Sequence, residues 1–456
     1  MPPGHRAPGA ATDNTQVHAL IDRRNAATRG AVAVDLGLYA GCTAFAAFTA
    51  VGSEFYGFRI WGWFATAAYG FALLHATWLL LSGTRANRGS GPLARLRSRW
   101  TPIAVIGIVG MLAPLAVLVV RRLTGRDWLN TPGSWSAQPE VWVIERAAKL
   151  LFTTGTPYTD IAALGRAAVV NDYTPYGPAM ALFGLPRALF GDSPLTDARL
   201  VFALTAVLTV VGALRLLGWP HRAFAIPVRA AQLAVIFPLT AYTWAVAGPD
   251  LAIVGLIVLG IALAARDHAG WAALVLAIVL SAKLTALPAV VVVAVLVAAR
   301  LGARGLGRFG AVHLLACAVL NIPVLLVAPR AYLDHVFLFP AGLAEVVSPA
   351  ASPLPGHLLA SAGSIGRVLG YVVLALAALA IAAWLLRRPP RTAADTALRC
   401  AIALATATLL VPATRFGYLV YPTVLLGAAL CFSVAERTAR PEDHTGDDHP
   451  VPVDRP

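Results

Sequence analysis

Long apolar runs separated by short polar segments dominate the chain and predict its architecture. Runs such as 31–51 and 371–386 carry almost no charge. An α-helix needs about 20 such residues to cross roughly 30 Å of hydrocarbon. The pattern therefore predicts an all-α polytopic membrane protein with about twelve transmembrane helices. The predicted spans are 31–51, 60–82, 101–120, 196–217, 229–246, 250–265, 270–283, 285–300, 309–328, 366–386, 398–412 and 416–434.

The composition agrees with a membrane protein and gives the basic charge a simple explanation. The chain is 58% hydrophobic and 13% charged, with a mean hydropathy of +0.71, whereas soluble domains are about a quarter charged. Its net charge is +14, yet no basic stripe alternates with aromatics on a soluble domain. Nucleic acid is therefore not an expected partner. The four cysteines all fall in apolar runs, so no disulfide framework is predicted.

The positions of Lys and Arg predict that both termini are cytoplasmic. The basic segments 84–99, 299–308 and 386–391 are short loops, where an excess of Lys and Arg marks the inner side. We therefore expect a multi-pass protein of a bacterial plasma membrane. The predicted divisions are a disordered cytoplasmic tail 1–29, a membrane domain 30–435 and a second disordered tail 436–456.

One polar segment, residues 121–195, is much longer than the other connections and is predicted to lie outside. Loops of this length are usually functional. Within it, residues 179–190 are apolar but short and contain Pro186, so we expect them to lie on the outer surface. A second outer loop is predicted at 329–365.

A juxtamembrane helix is predicted early in the long outer loop. Pro139 suits the first helical turn, apolar residues recur on one face, and Gly155 provides the stop. Glu140 and Glu145 lie on its more polar sides, and Asp172 follows later in the loop. These carboxylates are either solvated surface charges or candidates for acid–base chemistry.

The order of short motifs along this region resembles a known enzyme family. In chain order the motifs are Glu140-Val-Trp-Val, Ala148-Lys-Leu-Leu, Gly155-Thr-Pro-Tyr, Tyr173-Thr-Pro-Tyr-Gly-Pro, Phe190-Gly, Ala198-Arg-Leu and Lys283-Leu-Thr-Ala-Leu-Pro. This series resembles the membrane glycosyltransferases of the GT-C superfamily, particularly glycosyltransferase family 87. Two departures are a glutamate where the family has an aspartate and two additional spans before the catalytic loop.

The resemblance implies an inverting hexosyltransferase acting at the outer face of the membrane. The donor would be a polyprenyl-phosphate sugar, mannose-like, and the acceptor a cell-envelope glycolipid or glycan. Such a reaction needs a carboxylate base and fixed positive charge at the departing phosphate. Candidate catalytic residues are Glu140, Glu145 and Asp172. Candidate donor-phosphate ligands are Lys283, Arg415, Arg199, His335 and His357, and candidate sugar-stacking residues are Trp142, Tyr158, Tyr173 and Tyr176.

Each of these residues also has an ordinary explanation. Cations at span ends extend toward the interface, and aromatic residues form a belt at the same level. No cluster of His, Asp or Cys has ligand spacing, so no cofactor is implied, although a divalent metal stays compatible. The alternative function is a twelve-span secondary transporter, but the polar residues gather in an outer loop and not at the membrane midplane.

Overall fold

The fold is a bundle of helices, seen in a computed structural model that describes residues 28–82, 96–123, 134–220 and 225–439. Within these ranges the only β pairing is one bridge between Ala351 and Thr414. The helices are α1 (Arg29–Gly52), α2 (Tyr56–Leu81), α3 (Trp100–Arg122), α4 (Pro139–Thr154), α5 (Pro178–Phe190), α6 (Ala198–Leu216), α7 (Val228–Ala234), α8 (Pro238–Val246), α9 (Pro249–Ala265), α10 (Ala269–Ala282), α11 (Leu287–Val327), α12 (Pro329–Leu333), α13 (Pro355–Ser361), α14 (Ser364–Arg387), α15 (Ala393–Leu410) and α16 (Val420–Ala439). Short 3₁₀ turns are Val170–Asp172, Pro194–Thr196, Leu284–Ala286 and Phe416–Leu419. Most of both predicted tails lies outside the described residues.

The structure confirms an all-helical membrane protein but counts its long apolar helices differently from the sequence. Eight helices in the described residues are long and apolar enough to cross a membrane, or nine if α8 and α9 form one bent span. The figure of twelve spans and the cytoplasmic position of the termini stay predictions. α16 continues to Ala439, beyond the predicted boundary at 435.

The difference in count has local causes. Pro238 and Pro249 each begin a new helix, and α8 and α9 meet at a bend of 120°. α9 and α10 have only 17 and 14 residues. The predicted spans 285–300 and 309–328 fall on the two halves of α11, a 41-residue stretch in which two helices meet at a kink with non-helical backbone at Gly302 (φ 66°, ψ −164°). Proline and glycine thus interrupt apolar segments at points that the hydropathy pattern alone does not show.

Two apolar clusters hold the bundle together. One surrounds α9, whose residues are buried on nearly every side, and the other joins α1, α2, α3, α7 and α8. Gly62 allows α2 to approach α1, because a Cβ there would lie 2.5 Å from the backbone nitrogen of Ala50. Small residues allow this kind of close helix packing in membranes. The break between α7 and α8 leaves a carbonyl at Ile236, which accepts a hydrogen bond from the Tyr69 hydroxyl at 2.5 Å.

Backbone hydrogen bonds tie residues 134–197 to the helix ends at one face of the bundle. The Gln138 amide donates to the Val246 carbonyl at 2.8 Å, at the end of α8. The Gly177 amide donates to the Ala282 carbonyl at 3.0 Å, at the end of α10. The long polar segment therefore forms a cap over that face, which we call the cap face.

A group of buried polar side chains around Asp35 joins helices toward the face opposite the cap face. The Asp35 carboxylate in α1 accepts two hydrogen bonds from Arg99, at 2.6 and 2.9 Å. Arg229 and Gln232 donate to the same carboxylate at 3.0 and 2.9 Å. An aspartate inside a predicted span is thus neutralised by basic residues at the ends of other helices, which offsets the cost of placing charge in an apolar region.

Candidate functional site

α4 places Glu140 at the edge of the cap face. The helix begins with Pro139 and ends at Gly155, whose φ of 75° lies in the left-handed region. Glu140 lies in the first turn, where exposed backbone amides favour a negative charge. Gln138, the residue before the helix, donates from Nε2 to the Tyr242 hydroxyl at 3.0 Å, so both its backbone and its side chain attach the start of α4 to α8.

Glu140 forms an ion pair with Arg415, a residue 275 positions later in the sequence. Oε1 accepts the hydrogen bond from Arg415 Nη1, whereas Oε2 is buried and has no hydrogen-bond partner among the described residues. The Glu140 carboxylate raises the pKa of Arg415, against the opposing effect of burial. A buried carboxylate oxygen without a donor is costly, and it points to a ligand that supplies an O–H or N–H.

Arg415 owes its position to a short segment between α15 and α16. The Thr414 amide donates to Ala350 at 2.9 Å, and the Ser352 amide donates to the Thr414 carbonyl at 2.9 Å. These bonds attach the segment to the second predicted outer loop. Two separate loops therefore meet at the Glu140 carboxylate.

A second ion pair joins Lys283 and Asp250. Lys283 follows α10 and Asp250 lies in the first turn of α9, so the antiparallel arrangement of the two helices brings the end of α10 next to the start of α9. Nζ of Lys283 donates to Oδ1 of Asp250, and the Tyr421 hydroxyl donates to the same oxygen at 2.7 Å. Lys283 is buried and Asp250 half-buried.

Three tyrosine rings surround the Lys283 ammonium. Nζ lies 4.5 Å from the ring centre of Tyr418, 5.6 Å from that of Tyr421 and 6.0 Å from that of Tyr176. These distances fit cation–π contacts. Burial raises the pKa of Tyr176 well above its ordinary value, so its hydroxyl stays protonated at neutral pH.

The two ion pairs belong to one cluster. Lys283 lies within electrostatic reach of Glu140, and Tyr176 within reach of both carboxylates and of Arg415. We call Glu140, Arg415, Asp250 and Lys283, with Tyr176, Tyr418 and Tyr421, the charged cluster. It contains two anions and two cations from distant parts of the chain. Of the predicted site residues, the structure brings together Glu140, Lys283, Arg415 and Tyr176.

Glu145 and Arg199 lie in a different environment. Both Glu145 oxygens are occupied, by Arg122 at 2.9 and 2.5 Å and by the Ala198 amide at 3.0 Å. Arg199 is fully buried and donates to Asp197 and to two backbone carbonyls. These groups join the end of α3 to α4 and α6. Glu145, predicted as a candidate base, and Arg199, predicted as a phosphate ligand, thus already have protein groups as hydrogen-bond partners.

Asp172 is engaged within its own loop. It accepts two hydrogen bonds from Arg166, both at 2.7 Å, and one from the Val169 amide at 2.8 Å. Burial opposes the charge of Asp172, but these donors outweigh it and hold the pKa of the carboxyl below its ordinary value. Trp142 lies under the Arg146 guanidinium at 4.7 Å. Asp172 therefore secures its own loop, and Trp142 packs against Arg146 of the same helix.

Tyr158, Tyr173 and His335 form a packed group beneath the same loop. The ring centres of the two tyrosines lie 5.1 and 5.3 Å from that of His335, and Tyr173 stacks on Phe339 at 4.4 Å. The Tyr158 hydroxyl donates to the Tyr176 carbonyl at 2.9 Å. These rings face other protein rings, so they support the loop that carries Tyr176. His357, at the edge of the second loop, lies 3.0 Å from the Pro412 carbonyl.

His335 is predicted to make stability depend on pH. It is wholly buried, its Nδ1 accepts from the Thr174 amide at 2.7 Å, and Nε2 lies 2.8 Å from the Thr159 carbonyl. Burial lowers the pKa of His335 to about 4, whereas an unfolded histidine has a pKa of about 6.5. The unfolded state therefore binds the proton first, and the contribution, at most about 3 kcal/mol, is present above pH 6.5 and lost as the pH falls toward 4.

Thermal unfolding in detergent between pH 7.5 and 4 measures this effect. His335→Phe keeps a ring against Tyr158 and Tyr173 but cannot titrate, so we expect it to be less stable at pH 7.5 and to lose less stability on acidification. An identical pH slope in the two proteins would contradict the prediction.

Several members of the charged cluster were not predicted as site residues. Asp250, Tyr418 and Tyr421 are not among the candidate residues to which the sequence points. The sequence does contain one signal for Asp250. The two helices of a tight hairpin run antiparallel, so a residue at the start of the first helix, such as Asp250, lies opposite a residue at the end of the second helix, such as Lys283. Among the described residues, no group of three His, Cys, Asp or Glu could hold a metal ion.

A family model described as glycosyltransferase family 87 matches residues 173–412, more than half of the chain. No curated protein and no solved structure matches the chain. The chain belongs to glycosyltransferase family 87 and is a membrane glycosyltransferase. Asp250 and Lys283 fall within the matched residues, whereas Glu140 precedes them and Arg415 follows them.

Proposed function

We propose that the protein transfers a sugar from a polyprenyl-phosphate donor to a hydroxyl group of a cell-envelope glycolipid or glycan, with inversion at the anomeric carbon. The observation that carries this proposal is the buried Oε2 of Glu140, which lies near two cations and accepts no hydrogen bond from any residue that the structure describes. An acceptor hydroxyl supplies that donor. The family resemblance favours a mannose-like hexose.

The proposed reaction uses Glu140 as the base. The acceptor oxygen attacks the anomeric carbon and its proton passes to Oε2 of Glu140. A new carbon–oxygen bond forms on one face of the sugar while the bond to the phosphate oxygen breaks on the other. The bonding electron pair leaves with the phosphate, and Arg415 and Lys283 stabilise its growing charge.

The charges of the cluster suit a donor with one phosphate. The four charged side chains sum to zero, and a phosphodiester brings one negative charge. As the reaction proceeds, Glu140 loses its charge by taking the proton while the phosphate gains one. The net charge of the site therefore stays constant, and Arg415, released from Glu140, can turn to the phosphate.

Lys283 and Arg415 are predicted to bind the donor phosphate. Lys283→Met and Arg415→Met should each weaken binding of polyprenyl monophosphate about 10- to 100-fold, the range for one lost charge-assisted hydrogen bond. Binding to purified protein in lipid nanodiscs measures this. Arg330→Met, which removes an exposed guanidinium, is the matched control and should bind normally. Unchanged affinity in both cluster variants would remove them from the site.

The proposed orientation places the cap face outside the plasma membrane, with both termini in the cytoplasm. A reporter that is active only outside should give signal when fused after Leu164 and none when fused after Arg304. A reporter that is active only in the cytoplasm should give the reverse. Cytoplasmic signal from the Leu164 fusion would contradict this orientation and, with it, the outer-face reaction.

The acceptor and the sugar can be identified from cells. Mass spectrometry should show that envelope glycolipids of a deletion strain lack a single sugar that the normal strain adds. A strain carrying Glu140→Gln should lack the same sugar. Restoration by the normal gene and failure of the variant to restore would connect that addition to the charged cluster.

A further inference from the structure

The Lys283 ammonium is held in place by several protein groups, in addition to any phosphate that it binds. Oδ1 of Asp250 accepts from both Lys283 and Tyr421, so one carboxylate oxygen joins α9, α10 and α16. The Tyr418 ring covers the ammonium at 4.5 Å. Glu140, by contrast, is hydrogen-bonded among the described residues to Arg415 and not to Lys283. Asp250 is thus the anion that determines where Lys283 lies.

We propose that Asp250 is a positioning residue of the sugar-transfer site, whose carboxylate fixes the Lys283 ammonium against the tyrosine rings and toward the donor phosphate. This inference rests on the proposed function. Asp250 does not contact the reacting atoms in this role; it acts through Lys283. Its place in the first turn of α9 favours its own negative charge.

The surroundings of Lys283 explain why it needs a dedicated anion. The ammonium is buried, and burial without a counter-charge favours the neutral amine. The groups that face it are Asp250 from α9, Glu140 from α4, Tyr176 from the loop before α5, Tyr418 from the 3₁₀ turn and Tyr421 from α16, with Arg415 paired to Glu140. The tyrosines contact the ammonium through their ring faces, and Glu140 is shared with Arg415. Without Asp250, burial would lower the pKa of Lys283.

A structural ion pair and a positioning residue predict different results. If the pair only held α9 to α10, its loss would lower the stability and the yield of folded protein but would leave the donor KM of the folded molecules unchanged. If Asp250 positions a charged lysine, its loss should impair donor binding, and the defect should grow as the pH rises. Removing Asp250 after Lys283 should then change little.

The test measures the donor KM and kcat of purified protein in nanodiscs between pH 6.5 and 9.5. Asp250→Asn should raise the donor KM about tenfold at pH 7 and increasingly above pH 8, with a smaller change in kcat. Lys283→Met should show a larger KM defect that does not vary with pH. The double variant should match Lys283→Met alone. Asp267→Asn, at the opposite end of the same hairpin and paired with Arg300, is the matched control and should behave normally.

The outcomes separate this inference from the proposed function. A normal pH profile in Asp250→Asn, or additive defects in the double variant, would overturn the positioning role. Normal KM and kcat in Lys283→Met would instead overturn the donor site itself. If Asp250→Asn does not fold, Tyr421→Phe removes the second donor to Asp250 but keeps the ring. It should raise the donor KM a few-fold, and an unchanged KM in that variant would count against the proposal.

Discussion

Glu140→Gln should reduce sugar transfer by about 10²- to 10⁴-fold, the usual contribution of a positioned general base. The amide keeps the size of the side chain and a hydrogen-bond acceptor toward Arg415, but it cannot accept a proton at neutral pH. Folded yield and binding of polyprenyl monophosphate should therefore survive. Turnover of a lipid-linked sugar donor by purified protein measures the loss.

Two variants sharpen the result for Glu140. Glu140→Asp keeps the carboxylate and shortens its reach, so it should retain partial activity. Glu54→Gln removes an exposed glutamate from the turn between α1 and α2 and should turn over normally. If Glu140→Gln is fully active, the unsatisfied Oε2 does not mark the acceptor site and the base must be sought elsewhere.

Glu145→Gln should instead destabilise the fold. The carboxylate is buried with Arg122 and also accepts from the Ala198 amide, so the variant removes one of the two carboxylates, Glu145 and Asp197, that pair with a buried guanidinium. Removing one partner of a buried pair typically costs about 3–5 kcal/mol. We expect a lower folded yield and a lower midpoint of thermal unfolding in detergent.

Activity per folded molecule separates the two glutamates. Glu145→Gln that is recovered in folded form should bind donor and turn over within a few-fold of normal, whereas Glu140→Gln should be stable and inactive. A well-folded but inactive Glu145→Gln, beside an active Glu140→Gln, would show that the wrong carboxylate has been named the base.

The sequence predicted the helical membrane class because uninterrupted apolar runs have few alternatives to a spanning helix. α1, α2 and α14 correspond to runs that hydropathy identifies directly. The helix boundaries from α7 to α11 were harder to predict, because the effect of a proline or glycine depends on what packs around it. Whether Gly302 separates two helices or lies within a continuous run is a property of the backbone that composition does not record.

The candidate site was predictable where charge lay at the edge of a span and ambiguous where it lay inside the long loop. Lys283 and Arg415 lie at boundaries of predicted spans, and Glu140 holds the acidic position in the motif series that resembles glycosyltransferase family 87. His335 and Arg199 have the same chemistry as phosphate ligands, but their hydrogen bonds go to the protein itself. A sequence shows that a polar group needs a partner, yet only the packed structure shows which partner it has.

The short α9 and α10 also determine how deep the reaction lies. At 1.5 Å per residue, the 14 residues of α10 rise about 21 Å and the 17 residues of α9 about 26 Å, against roughly 30 Å of hydrocarbon. The polar turn at Asp267 anchors their other end. In the proposed orientation, with Asp267 at the cytoplasmic surface, Lys283 and Asp250 would lie several ångströms below the level of the outer lipid head groups. The head group of the proposed donor would then have to enter a local thinning of the bilayer, and the proposed acceptor would have to reach it there.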